Sequence, residues 1–272
     1  FYGARHPKDV EKTVHSAAII SAVAGVALLL IGLLGSPAML RLLNTKPELL
    51  DKATLYMQIY FCGMPALALY NFGNAVYSAI GNTKKPLYYL LFSGIVNVVL
   101  NLVFVIVCDL DVAGVALASI ISQYLSPIFL TAALFRSREA YGLSPKLLRL
   151  HRKNCREILT LGIPSGLQNA IFYIANMFIQ AGVNSFDSLM VKGNSAAANA
   201  DGLVYDVMAA FYTACSSFIG LNYGAGRRRE IRRSYLICLG YSFGVGAILG
   251  FSLVAFGPTF LTLFTTDAAV IE

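Results

Sequence analysis

Long apolar runs separated by short polar connections dominate the chain. Seven segments are each long enough to cross a hydrocarbon core of about 30 Å as an α-helix, which takes roughly 20 residues. Their limits are 16–40, 54–80, 87–108, 112–135, 158–184, 196–221 and 234–264. The runs are apolar on all sides and lack the alternation of an outer-membrane strand. The pattern therefore predicts an all-α protein with about seven transmembrane helices embedded in a lipid bilayer.

The charged residues lie mostly in the connections, and their distribution orients the spans. From the first residue to the last, the connections and the tail carry net charges of +1, +1, +2, −2, +5, 0, +4 and −2. The large positive values fall on every second connection, as the positive-inside rule requires of cytoplasmic loops. We expect a multi-pass membrane protein, with the first residue cytoplasmic and the last residue outside. Topology explains the overall charge of +7, so nucleic acid is not expected as a partner.

Two parts of the chain superpose at a fixed offset of 221 residues, with ten identities in 49 aligned pairs. Six spans lie between the equivalent turns, so the repeating unit has six helices and keeps its orientation. This parallel repeat is typical of alternating-access transporters. The repeated turns are Tyr2, Gly3 and Ala4 in the first copy and Tyr223, Gly224 and Ala225 in the second.

The repeat predicts how the chain is divided. Residues 1–135 are expected to be the last four helices of a first bundle, and 158–272 the first three helices of a second. Residues 136–157 would then form a basic cytoplasmic linker. The odd number of spans predicts a fragment that lacks about two helices in front and three behind. We expect this fragment to have no transport activity by itself.

Cysteine and histidine offer little chemistry in this sequence. The five cysteines are scattered and have no His at ligand spacing, so neither a disulfide framework nor a zinc site is indicated. The three histidines are expected in or beside basic connections, where they supply no buried imidazole. An enzyme is therefore not expected, nor any cofactor other than a coupling ion.

Several stretches resemble the multidrug and toxic compound extrusion (MATE) family of antiporters. Residues 218–226, FIGLNYGAG, are similar to that family's turn after the second helix of a bundle and include Asn222, although Leu221 replaces the usual Gln. The stretch LGIPSGLQ, with Pro164, resembles the start of the second bundle. NVVLNLVF and GVALAS, at 97–104 and 114–119, resemble the fifth and sixth helices.

The resemblance implies twelve helices in two six-helix bundles. It also implies export of amphipathic or cationic compounds coupled to entry of Na⁺ or H⁺, by a protein expected to be monomeric when full length. Within the family, the chain is most similar to the bacterial, damage-inducible-type branch. That similarity implies a location in a bacterial inner membrane.

Polar side chains at membrane depth are costly unless they are paired or face a cavity, which makes them functional candidates. Asn97 and Asn101 lie four residues apart on one helical face, and each offers a carbonyl oxygen to a hard cation. By resemblance, Ser119 stands where a hydroxyl completes the family's first-bundle cation site, and many relatives have Asp in place of Asn101. Because Asn101 carries no charge, an acidic residue elsewhere must assist. The alternative is that both amides only form interhelical hydrogen bonds.

Asp201 and Asp206 are the carboxylates inside an apolar run. Asp206 is a candidate proton carrier if it lies more than a turn below the membrane surface, whereas Asp201 is also explained as a solvated helix-end residue.

Further residues inside the spans are candidates for lining a substrate cavity or for bending a helix. Gln168 and Asn176 share a helical stripe and, with Tyr70, are candidates for lining a substrate cavity, but packing explains them equally. Pro65 and Pro127 lie inside spans, where each removes a backbone hydrogen bond and can kink a helix.

Two other functions remain open from the sequence. A lipid-linked oligosaccharide flippase of the same superfamily would favour basic residues within the spans to bind a pyrophosphate, and none lies in mid-span here. A non-transporting membrane subunit or a channel would leave the duplication and the charge pattern without a use.

Overall fold

The chain is built from α-helices joined by short connections. The structure, a computed structural model, describes residues 1–42, 47–183, 186 and 188–262, and this part of the chain contains no strand. The all-α prediction is therefore confirmed. The helices are α1 (Pro7–Leu42), α2 (Pro47–Cys62), α3 (Met64–Ala79), α4 (Lys84–Leu102), α5 (Asp111–Arg136), α6 (Arg152–Val183), α7 (Ser188–Gly224), α8 (Arg228–Ala255) and α9 (Gly257–Leu261).

Six of the helices in the described part are long and apolar enough to cross a membrane. They are α1, α4 with a short π-helical extension, α5, α6, α7 and α8, so the protein is a multi-pass membrane protein. All six begin before the predicted start of the span, because polar residues that precede each apolar run are helical too. The predicted span ends at 184 and 264 lie outside the described residues. Thr45 and Thr266, one of the identical pairs of the sequence repeat, also lie outside them. The same holds for three acidic residues counted in the net charges of the sixth connection and the tail, Asp187, Asp267 and Glu272.

The prediction of one uninterrupted span over 54–80 is wrong, because two 16-residue helices, α2 and α3, meet there at Gly63. Pro65 lies in the first turn of α3 and has no amide hydrogen to continue the ladder of α2. At the break, the carbonyl of Cys62 accepts a hydrogen bond from the hydroxyl of Tyr124 on α5, at 2.8 Å. The interruption is thus stabilised by a neighbouring helix.

A proline occupies equivalent positions in the two copies of the repeat, but it interrupts the helix in only one of them. In the second copy, Pro258 follows the end of α8 and lies in the first turn of α9, so the predicted span 234–264 is interrupted. In the first copy, α1 passes through Pro37 without a break. The carbonyl of Leu33, which loses its amide donor to Pro37, accepts instead from Nε2 of Gln58 on α2 at 3.1 Å.

The backbone of the repeated turns supports the sequence repeat. In each copy the turn closes with the paired hydrogen bonds of a Schellman motif, at positions that differ by the offset of 221 residues. These bonds run from the amide of Arg5 to the carbonyl of Tyr2 (3.0 Å) and from His6 to Phe1 (3.1 Å), and from Gly226 to Tyr223 (3.1 Å) and from Arg227 to Asn222 (2.9 Å).

The turns require a left-handed residue, and only one copy has glycine there: Arg5 has φ 56° and Gly226 has φ 71°. Because a side chain at positive φ is strained, we expect Arg5→Gly to increase the free energy of unfolding by up to about 1 kcal/mol. Thermal unfolding of the full-length protein in detergent measures this. Arg5→Ala is the control, since it removes the charge but keeps the strain. An increase of the same size in Arg5→Ala would contradict the prediction.

His15 corrects the expectation that every histidine lies in a polar connection. Because α1 begins at Pro7, His15 lies two turns inside the helix and is 1% exposed. Its Nδ1 donates to the carbonyl of Glu11 at 2.8 Å, and its Nε2 accepts from the amide of Ser144 at 3.0 Å. These partners assign a neutral imidazole.

The basic connection packs on the start of α1 through further buried polar contacts. The amide of His151 donates to Oγ of Ser16 at 3.0 Å, and Nδ2 of Asn154 donates to Oγ1 of Thr13 at 2.7 Å. By its contacts the chain forms two compact units, Phe1–Ile158 and the residues from Leu159 onward. The predicted linker 136–157 thus packs within the first unit, while the division into bundles stays a prediction.

A polar cluster between helices four and five

A continuous set of hydrogen bonds joins α4 to α5 in the first unit. Nδ2 of Asn101 donates to Oδ1 of Asn97 at 3.1 Å, and Nδ2 of Asn97 donates to Oγ of Ser122 at 3.0 Å. The Ser122 hydroxyl in turn donates to the carbonyl of Ser119 at 2.9 Å. The structure therefore brings the two predicted amides together, as their spacing of four residues requires.

One atom of this cluster has an unused hydrogen-bonding capacity. Oδ1 of Asn101 is buried and has no hydrogen-bond partner among the described residues. A buried polar atom without a partner costs free energy, and such an atom is often a ligand to an ion or a water. Amide oxygens are suitable ligands for hard cations. The turn that follows, Val103–Val107, is π-helical, a feature frequent at functional sites.

The hydroxyl beside the amides belongs to Ser122, whereas Ser119 was the predicted residue. Ser119 lies on the same helix, but its hydroxyl donates to the carbonyl of Val115 in its own helix at 2.9 Å. Ser93 of α4 also donates to the carbonyl of Ser122. The interface of α4 and α5 thus contains interhelical hydrogen bonds, as expected if the amides serve only helix packing. It also contains one amide oxygen, Oδ1 of Asn101, that those bonds leave free.

The two carboxylates lie in the second unit. Since α7 begins at Ser188, Asp206 lies 18 residues from either end of the helix, which is about 27 Å along its axis. Asp201 lies five residues earlier, and both side chains are exposed on this unit. Asp206 is therefore many turns away from the helix ends, whereas its role as a proton carrier stays a prediction.

The predicted cavity residues are distributed over both units. Tyr70 packs half-buried against the core of the first unit, around Leu130. Gln168 and Asn176 lie exposed on α6, and Nδ2 of Asn176 donates to the carbonyl of Phe172 at 3.2 Å. Packing explains the contacts of Tyr70 within its unit, while a role in a substrate cavity stays a prediction for all three residues.

The prolines inside spans have different local outcomes. Pro127 is fully buried inside α5, which continues through it. Pro164, expected near the start of a helix, lies twelve residues past the start of α6, which is also continuous. Of these and Pro65, only Pro65 lies at an interruption between helices.

Comparison with known proteins decides the family. The family model described as MatE matches residues 1–103 and 164–272, most of the chain and both units. This chain belongs to the MATE family. Members of the MATE family are membrane transporters, which agrees with the helices long enough to span a bilayer.

Individual MATE relatives cover the chain well. The probable multidrug resistance protein YpnP of Bacillus subtilis is 31% identical over 72% of this chain and 44% of its own length. The FAD transporter of Shewanella oneidensis is 24% identical over 99% of this chain and 61% of its own length. The chain thus spans between about two fifths and three fifths of these relatives.

A solved structure agrees with the fold. A MOP superfamily transporter from Pyrococcus furiosus superposes with a TM-score of 0.90 at 22% identity, over 99% of this chain and 61% of its own. At this identity the likeness concerns the fold alone. It agrees with an all-α membrane protein whose relatives continue beyond the length of this chain.

Proposed function

We propose that the full-length protein is a cation-coupled antiporter that exports amphipathic or cationic small molecules by alternating access. The observation that carries the proposal is the free, buried Oδ1 of Asn101 inside a hydrogen-bonded cluster of a MATE-family chain. The names of relatives support export of several drugs, since YpnP is called a probable multidrug resistance protein. The Shewanella relative is called an FAD transporter, which makes FAD a second probe.

Na⁺ is the coupling ion that this cluster favours. Asn97, Asn101 and Ser122 supply neutral oxygen atoms, which can bind a hard cation but cannot carry a proton at ordinary pH. A carboxylate near such a site would offset part of the cost of dehydrating the cation. We place that carboxylate in the remainder of the protein, in accord with the lack of charge at Asn101.

Proton coupling through Asp206 is the competing version of the proposal. A carboxyl group at membrane depth is disfavoured in its charged form and can take up and release a proton during a transport cycle. In this version the coupling ion is H⁺ and the amides serve only helix packing. The two versions therefore place the coupling step in different units.

Other parts of the proposal follow from the family and from the charges of the connections. We propose a monomer in the bacterial inner membrane, with residue 1 on the cytoplasmic side and no cofactor besides the coupling ion. Gln168, Asn176 and Tyr70 would contribute to the substrate cavity in the assembled protein. The chain described here is proposed to be inactive by itself, because it spans only about three fifths of the length of the Shewanella relative.

Efflux from cells tests the proposal. Cells that carry the full-length gene are loaded with ethidium or with FAD, and efflux is followed after an inward Na⁺ or H⁺ gradient is imposed. We expect efflux above that of empty-vector cells, stimulated about tenfold by one ion and not by the other. Efflux equal to the vector control for both probes and both ions would leave the antiporter proposal without support.

A further inference from the structure

The α7–α8 hairpin has a defined antiparallel register. Oγ of Ser242 donates to Sδ of Met208 at 3.7 Å. On the next turn of α8, a Cβ at Gly246 would lie 3.0 Å from Cε and Sδ of the same Met208. In two antiparallel helices, the residue numbers of facing pairs have a nearly constant sum. The two contacts of Met208 place this sum between about 450 and 454 for α7 and α8. This register gives an independent check on other pairs across the seam.

Two thiols meet in this register. The numbers of Cys215 on α7 and Cys238 on α8 add to 453, so this register places the two residues at the same level. Cys215 lies seven residues after Met208 and Cys238 lies four residues before Ser242, so each thiol is on the helix face that forms the Met208–Ser242 contact. Both cysteines are free and half-buried. The pair lies about 14 Å along the helices from the connecting loop, because nine residues separate Cys215 from Gly224 and ten separate Cys238 from Arg228.

We propose that Cys215 and Cys238 are a redox-modification site that closes to a disulfide when it meets an organic hydroperoxide. The thiolate of one cysteine attacks the terminal oxygen of the hydroperoxide and becomes a sulfenic acid, and the alkoxide leaves as an alcohol after taking up the thiol proton. The second thiol then attacks the sulfenic sulfur, and its proton leaves with the hydroxyl as water. In sum, two thiols and one hydroperoxide give one disulfide, one alcohol and one water.

The position of the pair suits a lipid-soluble oxidant. Both helices are apolar membrane spans, so a hydrophobic hydroperoxide partitions into the layer where the thiols lie. The facing positions of the two cysteines on packed helices supply the proximity that makes the second step intramolecular. The bond would link α7 to α8 and fix their register. This inference concerns a different chemistry from the proposed transport function and does not depend on it.

The loop between the helices makes the bond measurable. Trypsin cleaves after the arginines of 227–233, which separates a peptide 193–227 containing Cys215 from a peptide that begins at 234 and contains Cys238. After cumene hydroperoxide treatment of the full-length protein in membranes, we expect the two peptides to remain joined until a reductant is added. Mass spectrometry of the non-reduced digest detects the joined pair.

Variants separate this pair from incidental oxidation. Cys215→Ser, Cys215→Ala and Cys238→Ser are each expected to lower the joined peptide at least about tenfold. Cys155→Ser, which changes a half-buried cysteine of the first unit, is the matched control and should leave it unchanged. The proposal is overturned if peroxide gives the wild type no joined peptide while alkylation shows both thiols free. It is overturned equally if peroxide joins Cys215 to the peptide 154–156, which contains Cys155, as readily as to the peptide that begins at 234.

Discussion

Asn97→Leu in the full-length protein is expected to lower Na⁺-driven export at least about tenfold, while the amount of folded protein in the membrane stays close to that of the wild type. Asn97 connects the cluster, since it accepts from Asn101 and donates to Ser122. Leucine removes both contacts and one of the oxygen atoms. A single interhelical hydrogen bond in a membrane contributes only about 0.6 kcal/mol, so the fold should tolerate the loss. A tenfold rate change corresponds to about 1.4 kcal/mol, which exceeds that packing contribution.

Initial export rates at increasing Na⁺ concentration measure the effect. We expect the Na⁺ concentration for half-maximal export to rise in Asn97→Leu. The control is Ser119→Ala, because that hydroxyl bonds within its own helix and should change the rate less than about twofold. Wild-type export by Asn97→Leu, combined with loss of pH-driven export in Asp206→Asn, would place the coupling step in the second unit instead.

Gly25→Leu is expected to separate α1 from α3 and to lower the yield of folded full-length protein severely. A Cβ at Gly25 would lie 2.8 Å from Cα of Pro65 and 3.0 Å from Cβ of Ala68. The nearer atom belongs to the backbone, so it cannot move aside as a flexible side chain does. Overpacking costs about 1–3 kcal/mol, and more where backbones approach this closely.

The melting temperature in detergent measures this destabilisation. Gly94→Leu is the matched control, because it adds the same side chain to a helix of the same unit and its Cβ would meet no atom of the described residues within 4 Å. We expect Gly94→Leu to melt close to the wild type and Gly25→Leu well below it. Equal melting temperatures for the two variants would show that the close approach of α1 and α3 does not stabilise the protein.

Most membrane spans could be predicted from the sequence because hydrophobic length alone decides whether a helix crosses a bilayer. The break at Gly63 could not, since Pro65 causes an interruption while Pro127 does not. The difference depends on tertiary partners. At the break near Pro65, the carbonyl of Cys62 accepts a hydrogen bond from the hydroxyl of Tyr124. Tyr124 lies 62 residues after Cys62 in sequence.

The candidate site, too, was predictable only where local sequence decides the geometry. Asn97 and Asn101 had to share a face, because a spacing of four residues is a property of the helix itself. The choice between Ser119 and Ser122 depends on how α5 is rotated against α4, which local sequence does not determine. Likewise, burial of His15 depends on Ser144, a partner that the chain supplies more than a hundred residues later.

Coupled flux in reconstituted vesicles tests cation-coupled export most directly. The full-length protein is placed in sealed proteoliposomes in which an imposed Na⁺ or H⁺ gradient is the sole source of energy, and the movements of ethidium and of the ion are recorded together. We predict that ethidium moves against the ion, that Na⁺ drives it, and that Asn97→Leu lowers both fluxes at least about tenfold. Ethidium flux that is the same with and without either gradient would contradict antiport.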